Sequence, residues 1–508
     1  MAEQEFREPS TRIFARSVLL LGGVFIVFAA AEFGLEYYRL GAPGIRQLSW
    51  AGVNNAKLVD SLSPIARAYN NVLAMLVATV GLAIPLTANM HTPKLIELFL
   101  TDRVNQLVLA LMALGAANVL WVLYIIGPEF APTWAFRLAV YGALLGWIVV
   151  IPYFFYVVRF LDPSTIVARL QRDTMRIVVQ GTQGAIEAES AQDEIKERLF
   201  QIGTIVLKSI DRADRGVARE GVWAFKRIID HYGERKSQMC DGWFHVGRED
   251  FVGMSHYALD WISEQRTWLE MQALSQLLLS YQHALAKAHD AISAISNTNR
   301  IIARNAAARG DTAVATLCLR FFNSFLREAL NRKDARAAYY VLYQYRELAG
   351  DVTADAGLVR QIAGFLRTYA LSAEQLGQHF VSQVAAYDLC HVVEIAYGAD
   401  GPSGDAALDD LLALPNRHEG KVVPARVKSK LVAAGHLQEH DLEEPLRRVR
   451  EALRDVPPES VAQAAAELEA VDQHIYWEIT DRAVNMEWTS EPRRKAIRQF
   501  VSSLSAKA

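Results

Sequence analysis

The chain has 508 residues, with 53 Lys and Arg against 56 Asp and Glu, and 52% of it is hydrophobic. Residues 1–163 hold 11 basic and 10 acidic side chains and the remainder 42 and 46, so neither part has the basic field that a phosphate backbone demands, and no nucleic-acid partner is expected. Cys240, Cys318 and Cys390 lie far apart with no CxxC pair, which argues against a disulfide framework and fits a reducing compartment.

Four apolar stretches come first: Ser17–Tyr38, Val72–Met90, Val104–Ile126 and Trp134–Val158. Each is near the roughly 20 residues a helix needs to cross a bilayer, where only internally hydrogen-bonded helices or closed barrels survive. The expected fold is all-α: a four-helix transmembrane bundle followed by a large helical cytoplasmic domain. Arg12, Arg16 and Ala29-Ala30-Ala31 give the first stretch some character of a cleavable signal, but Phe33, Leu35, Tyr37 and Tyr38 continue it as an anchor. Arg7, Arg12 and Arg16 before the first span, and Arg159, Arg169, Arg172 and Arg176 after the last, predict a bacterial inner-membrane protein with both termini cytoplasmic. Arg39, Arg46, Lys57 and Arg67 run against this, because they fall in a loop assigned to the outside.

Polar residues at membrane depth are the candidate site positions, since lipid makes them costly. Glu32 and Glu36 share a helix face one turn apart. They read as interfacial groups near a helix end, with an ion or proton site and a helix-packing role as alternatives. Asn118 is nearer mid-span and reads as an interhelical hydrogen-bonding group. In the second span Pro85 is expected to kink or interrupt the helix near Thr87 and Asn89, and Thr side chains or a broken-helix ion site are the two ways to use the freed carbonyls.

Between the second and third spans, Pro93 starts a short interfacial helix and Leu95, Ile96, Leu98, Phe99 and Leu100 supply its apolar surface. The stretch Met90–Leu111 places a Pro-basic pair, Pro93-Lys94, before this helix, and then Asp102-Arg103 and Gln106 at the step into the next span. In this pattern, and in Val157–Leu170, the chain resembles a bacterial family of predicted membrane proteins, DUF2254. The resemblance covers about residues 15–230, with Ile205–Phe225 a weaker part of it, and implies four spans and a cytoplasmic tail but no activity. The Gly-rich, strand-forming insert typical of the family is not seen here. Asp102 is read as a structural clamp, pairing near Arg103 or with Arg159, with a gate as the alternative.

After Asp162-Pro163-Ser164, a helix-start signal, the sequence is helical almost throughout. Four divisions are expected: 1–163, 164–309, 310–400 and 401–508. Gly233–Gly253, with Trp243, Phe244 and His245, suggests a short hairpin. Leu274, Leu278, Tyr281, Leu285, Ala288, Ile292, Ile295, Asn299 and Ile302 form a heptad seam, with Asn299 a candidate for fixing register inside the domain or against another subunit. Helices at Asp311–Leu330, Asp334–Ala349, Ala356–Tyr369 and Ala373–Tyr397 suggest solenoid-like helix pairs without a clean period. Gly398–Asp405 reads as a linker.

No GxxxxGK[ST] loop, strand-preceded GxGxxG, HExxH or GxSxG occurs, so no catalytic residue, cofactor or metal is expected. His436 and His440 with Glu439 have ligand-like spacing, but Gly435 and Pro445 make them read as a solvated connector, and Cys390-His391 reads as helix packing. The expected partners are the lipid bilayer and a protein partner or a second copy of the chain. The expected function is a membrane-tethered interaction or sensing scaffold, and the alternatives are an oligomeric channel or transporter and, behind it, an enzyme.

Overall fold

The computed structural model describes residues 8–40, 55–90, 95–127, 130, 132–251, 253–475, 482 and 485–505. They are helical except for one two-stranded ribbon and connecting turns. The chain divides into two compact units, Met1–Ile166 and Val167–Ala508.

The first unit contains α1 (Glu8–Leu40), α2 (Asn55–Met90), α3 (Leu95–Thr101), α4 (Arg103–Ile125) and α5 (Thr133–Phe160). Among the described residues three helices are long and apolar enough to cross a membrane, over Ala56–Thr87, Arg103–Ile125 and Thr133–Phe160. The helix that holds the second apolar stretch begins at Asn55, far earlier than the sequence suggests. Lys57 and Arg67, expected in an external loop, lie on α2, where Ser61 Oγ donates to the Lys57 carbonyl at 2.7 Å and Arg67 Nη2 donates to Ser63 Oγ at 3.3 Å. Pro85 does not interrupt α2, and Thr87 Oγ1 donates to the Ala83 carbonyl at 2.9 Å beside it.

Packing of α2 against α4 and α5 is centred on Leu62, Ala66, Tyr69, Met112, Ala116, Val119, Val122, Ala135, Ala139 and Ala143. These positions come from the start of α2, the end of α4 and the start of α5, so α4 runs antiparallel to α2 and α5 and the three meet best at that end. Small residues allow the close approach that membrane helices need. The Tyr69 ring fills a notch between Gly115 and Gly146, and its hydroxyl reaches Met112 Sδ at 3.4 Å. Outward-facing Met75, Leu82, Ile148 and Phe155 are exposed, as lipid-facing side chains must be.

The second unit begins within α6 (Pro163–Thr182) and continues through α7 (Ala188–Asp211), α8 (Arg215–Gly233), α9 (His256–Glu264), α10 (Trp268–Lys287), α11 (His289–Ala308), α12 (Thr312–Asn331), α13 (Ala335–Asp351), α14 (Ala356–Gln375), α15 (His379–Ala399) and α16 (Gly401–Leu412). The ribbon β1 (Arg417–His418) and β2 (Lys421–Val422) turns on Glu419 and Gly420, both at positive φ. Then come α17 (Pro424–Glu439), α18 (Glu443–Ala452), α19 (Pro458–Glu469) and α20 (Glu491–Ser505). From α10 to α15 each helix packs on the next and on the next but one.

One turn recurs along this unit. A residue at positive φ ends a helix, and the following N–H closes back on the carbonyl five residues earlier. It occurs at Ala213 (Asp214 N to Ser209 O, 2.9 Å), Gly310 (Asp311 N to Ala306 O, 2.9 Å), Lys333 (Asp334 N to Ala329 O, 2.9 Å) and Gly377 (Gln378 N to Ala373 O, 2.8 Å). In the first three the closing residue is an Asp whose side chain then accepts from the backbone of the next helix, at Val217, Val314 and Ala337. One short segment thus stops one helix and starts its neighbour. Inside, Tyr281 stacks on Phe325 with centroids 4.6 Å apart, and the Tyr345 and Tyr369 hydroxyls tie to Asn323 at 3.0 and 2.8 Å.

Three sequence expectations change here. The heptad seam is not one helix, because α10 ends at Lys287 and α11 restarts at His289 across Ala288 (φ −149°, ψ 81°). Gly233–Gly253 forms two short 3-10 turns, and no hairpin occurs among its described residues; Gln192 Nε2 holds it through the Trp243 and His245 carbonyls at 2.7 and 3.0 Å. Gly398–Asp405 is the α15–α16 junction, where Asp400 caps α16 through Ser403 N at 2.7 Å and Gly404 lies against the Tyr397 ring.

Candidate polar site in the membrane unit

Between residues 22 and 38 of α1 the buried positions are Ala29, Glu32 and Glu36, one stripe at helical spacing. The two carboxylates therefore turn towards α4 and α5, on which α1 packs. Glu32 and Glu36 are 7% and 2% exposed. Pro132 precedes α5 and offers no side-chain cap. Glu36 supplies it from the neighbouring helix: its Oε1 accepts from the Trp134 N–H and, at 3.1 Å, from the Ala135 N–H. A carboxylate at a helix start meets unsatisfied donors and the positive end of the helix dipole together.

Glu32 lies beside the carboxamide of Asn118 on α4 and within electrostatic range of Glu36. No hydrogen bond of ordinary geometry reaches either Glu32 oxygen, Glu36 Oε2 or Asn118 Oδ1, all of them buried. A cleft of about 760 Å³ opens on the carboxylates, lined also by Phe28, Leu35, Tyr38, Arg137, Leu138 and Tyr141. The Arg137 guanidinium lies 5.9 Å from the Trp134 ring centroid.

The other candidate positions fall elsewhere. Thr87 is 18 residues beyond Tyr69 on α2, about 27 Å along the helix, towards α3 and away from Glu32. The Asn89 side chain, Pro93 and Lys94 lie outside the described residues. Asp102 caps α4 through Val104 N (3.2 Å) and Asn105 N (3.3 Å), beside Arg103, and accepts the Tyr156 hydroxyl at 2.7 Å. Gln106 Nε2 donates to the Leu100 carbonyl at 2.8 Å, Phe99 packs edge-on against Phe160, and Arg103 begins α4 exposed. Asn299 is buried in the second unit and donates to the Cys318 carbonyl at 3.0 Å, from α11 to α12.

His436 and Glu439 belong to α17 and are not a loop, and their ligand atoms lie with that of His440 within 4.8 Å of one another. Arg493 occupies that corner: its guanidinium reaches Glu439 at 2.6 Å, Glu394 at 2.5 Å and His436 Nδ1 at 3.1 Å. A divalent cation there would face a fixed positive charge. Burial, the largest influence, pushes the Glu394 carboxyl up, but the His391 bond and the Arg493 charge outweigh it and hold it at about 2. Sequence reasoning also missed the buried pair Arg482–Asp388, bidentate at 2.6 and 2.8 Å, because its partners are 94 residues apart.

No curated protein and no solved structure matches the chain. Residues 10–209 match the family described as predicted membrane protein, DUF2254, and the helices from α8 onward lie beyond the match.

Proposed function

We propose that this protein is a membrane-tethered interaction scaffold of the bacterial inner membrane, anchored by α1, α2, α4 and α5 as a four-span bundle with both termini cytoplasmic. In this reading the helices after α6 form a solenoid-like array that docks a protein partner or a second copy of the chain. The observation that carries it is the run from α10 to α15, in which every helix packs on the next two. Such nearest-neighbour stacking extends a chain in one dimension and offers a long surface for recognition. Leu376 and Phe380, exposed on either side of the α14–α15 turn, are apolar positions on that surface. The test is site-specific photocrosslinking of the full chain in native membranes. Probes at Leu376 and Phe380 should yield one discrete adduct that probes on the charged helix α18 do not. Uniform, diffuse labelling from every position would contradict the reading.

A channel or transporter is the second reading, favoured by the convergence of Glu32, Glu36 and Asn118. It requires cation flux in proteoliposomes that is lost on Glu32→Gln; the scaffold reading expects no flux.

A further inference from the structure

Around the Glu32–Glu36 pair four buried acceptor oxygens have no hydrogen bond of ordinary geometry: both oxygens of Glu32, Oε2 of Glu36 and Oδ1 of Asn118. Their side chains are each more than nine-tenths buried. Buried acceptors left unpaired are rare in folded proteins, and a buried carboxylate without a countercharge is strongly disfavoured. We propose that Glu32, Glu36 and Asn118 bind a small monovalent cation, with sodium as the fitting ion.

Charge and donor number support the assignment. Glu36 is partly neutralised by the two N–H groups at the start of α5, an end that carries about half a positive charge. Arg137 lines the same cleft. With Glu36 engaged in this way, Glu32 is the carboxylate left without a charged or backbone donor, a deficit of about one charge that one monovalent ion closes and a divalent ion overshoots. A proton on Glu32 supplies a single donor and leaves other oxygens unpaired, whereas a metal ion accepts several oxygens at once as ligands. Asn118 serves as the neutral ligand, since a half-turn of its amide brings either its oxygen or its N–H2 to the site.

The site is independent of the scaffold reading, because partner capture by the second unit does not require it. The test uses the purified full chain in nanodiscs, with unfolding followed by tryptophan fluorescence in NaCl, KCl or choline chloride at constant ionic strength between pH 6 and 9. Sodium should raise the midpoint saturably over choline, the unfolded-to-folded ratio falling about 11-fold at ten times the dissociation constant. Glu32→Gln and Asn118→Leu should remove that increment, and Thr87→Val should keep it. Equilibrium binding of radioactive sodium to the wild-type chain gives a reading if either variant misfolds. Coincident sodium and choline curves without sodium binding would overturn the proposal. In that event a midpoint that varies with pH alone assigns the countercharge to a proton, and a loss of stability on Arg137→Gln assigns it to the guanidinium.

Discussion

Alanine at position 115 would place a Cβ 2.6 Å from the Tyr69 hydroxyl oxygen and 3.2 Å from Cζ, where ordinary contact begins at 3.4 Å. The ring must then retreat by about 0.8 Å, but Gly146 is packed against it and the side chain is fully buried. Overpacking of this kind costs about 1–3 kcal/mol. For a unit of 150–250 residues, each kcal/mol lost lowers the thermal midpoint by roughly 2–4 °C. Tyr69→Phe removes the atom that clashes first and gives up only a weak hydroxyl–sulfur contact, so it should restore most of the stability lost in Gly115→Ala. It should not rescue Gly146→Ala, whose new methyl meets the ring carbons Cε2 at 2.5 Å and Cζ at 2.8 Å. Gly142→Ala and Gly81→Ala, which meet nothing within 4 Å, are the controls. The assay is thermal unfolding of the detergent-solubilised full chain. The packing argument fails if Gly115→Ala unfolds at the same temperature as Gly142→Ala, or if Tyr69→Phe rescues both glycine variants alike.

Asp388→Ala leaves the Arg482 guanidinium buried without its carboxylate and should cost about 3–5 kcal/mol. The double replacement Asp388→Leu with Arg482→Met should recover much of that loss, and limited proteolysis of the 470–490 region measures both. Glu394, held at about 2 against 4.5 ordinarily, favours folding by about 3 kcal/mol above pH 4.5. That contribution is lost as pH falls from 4.5 towards 2, so Glu394→Gln should flatten the acid limb of a midpoint-against-pH curve and leave its alkaline limb in place. Asp355 accepts from Leu358 N at 3.0 Å, and Asp355→Ala should cost about 1 kcal/mol, read as faster hydrogen exchange in the first turn of α14.

The apolar stretches led directly to α1, α2, α4 and α5, because span length and hydropathy are written in consecutive residues. The true start of α2 was hidden by Lys57, Asp60 and Arg67, polar side chains that a helix carries as readily as a loop. The bonds of Asp102 to the first turn of α4 lie within three residues and are local, but its bond to Tyr156 spans 54 residues and was not legible. Periodicity ran unbroken through Ala288, since α10 and α11 present apolar faces to one core and no Gly or Pro marks the turn between them. Turn composition misled in the opposite sense at Gly401-Pro402-Ser403-Gly404, where a proline in the first turn and a cap at Asp400 start a helix. Lys333 and Ala213 adopt positive φ without the glycine that would announce it; the backbone bonds that close each turn stabilise the conformation instead. The pairing of Glu36 with the start of α5 spans 98 residues, and no local pattern encodes it.

The side of the membrane occupied by the second unit tests the topology on which the account rests, and the native cysteines suffice to find it. Cys240 is exposed, and Cys318 and Cys390 are buried. A membrane-impermeant maleimide should leave the protein unlabelled in intact spheroplasts and add one label per chain, at Cys240, in inverted vesicles. Labelling of Cys240 in intact spheroplasts would contradict a cytoplasmic helical array held by an even number of spans.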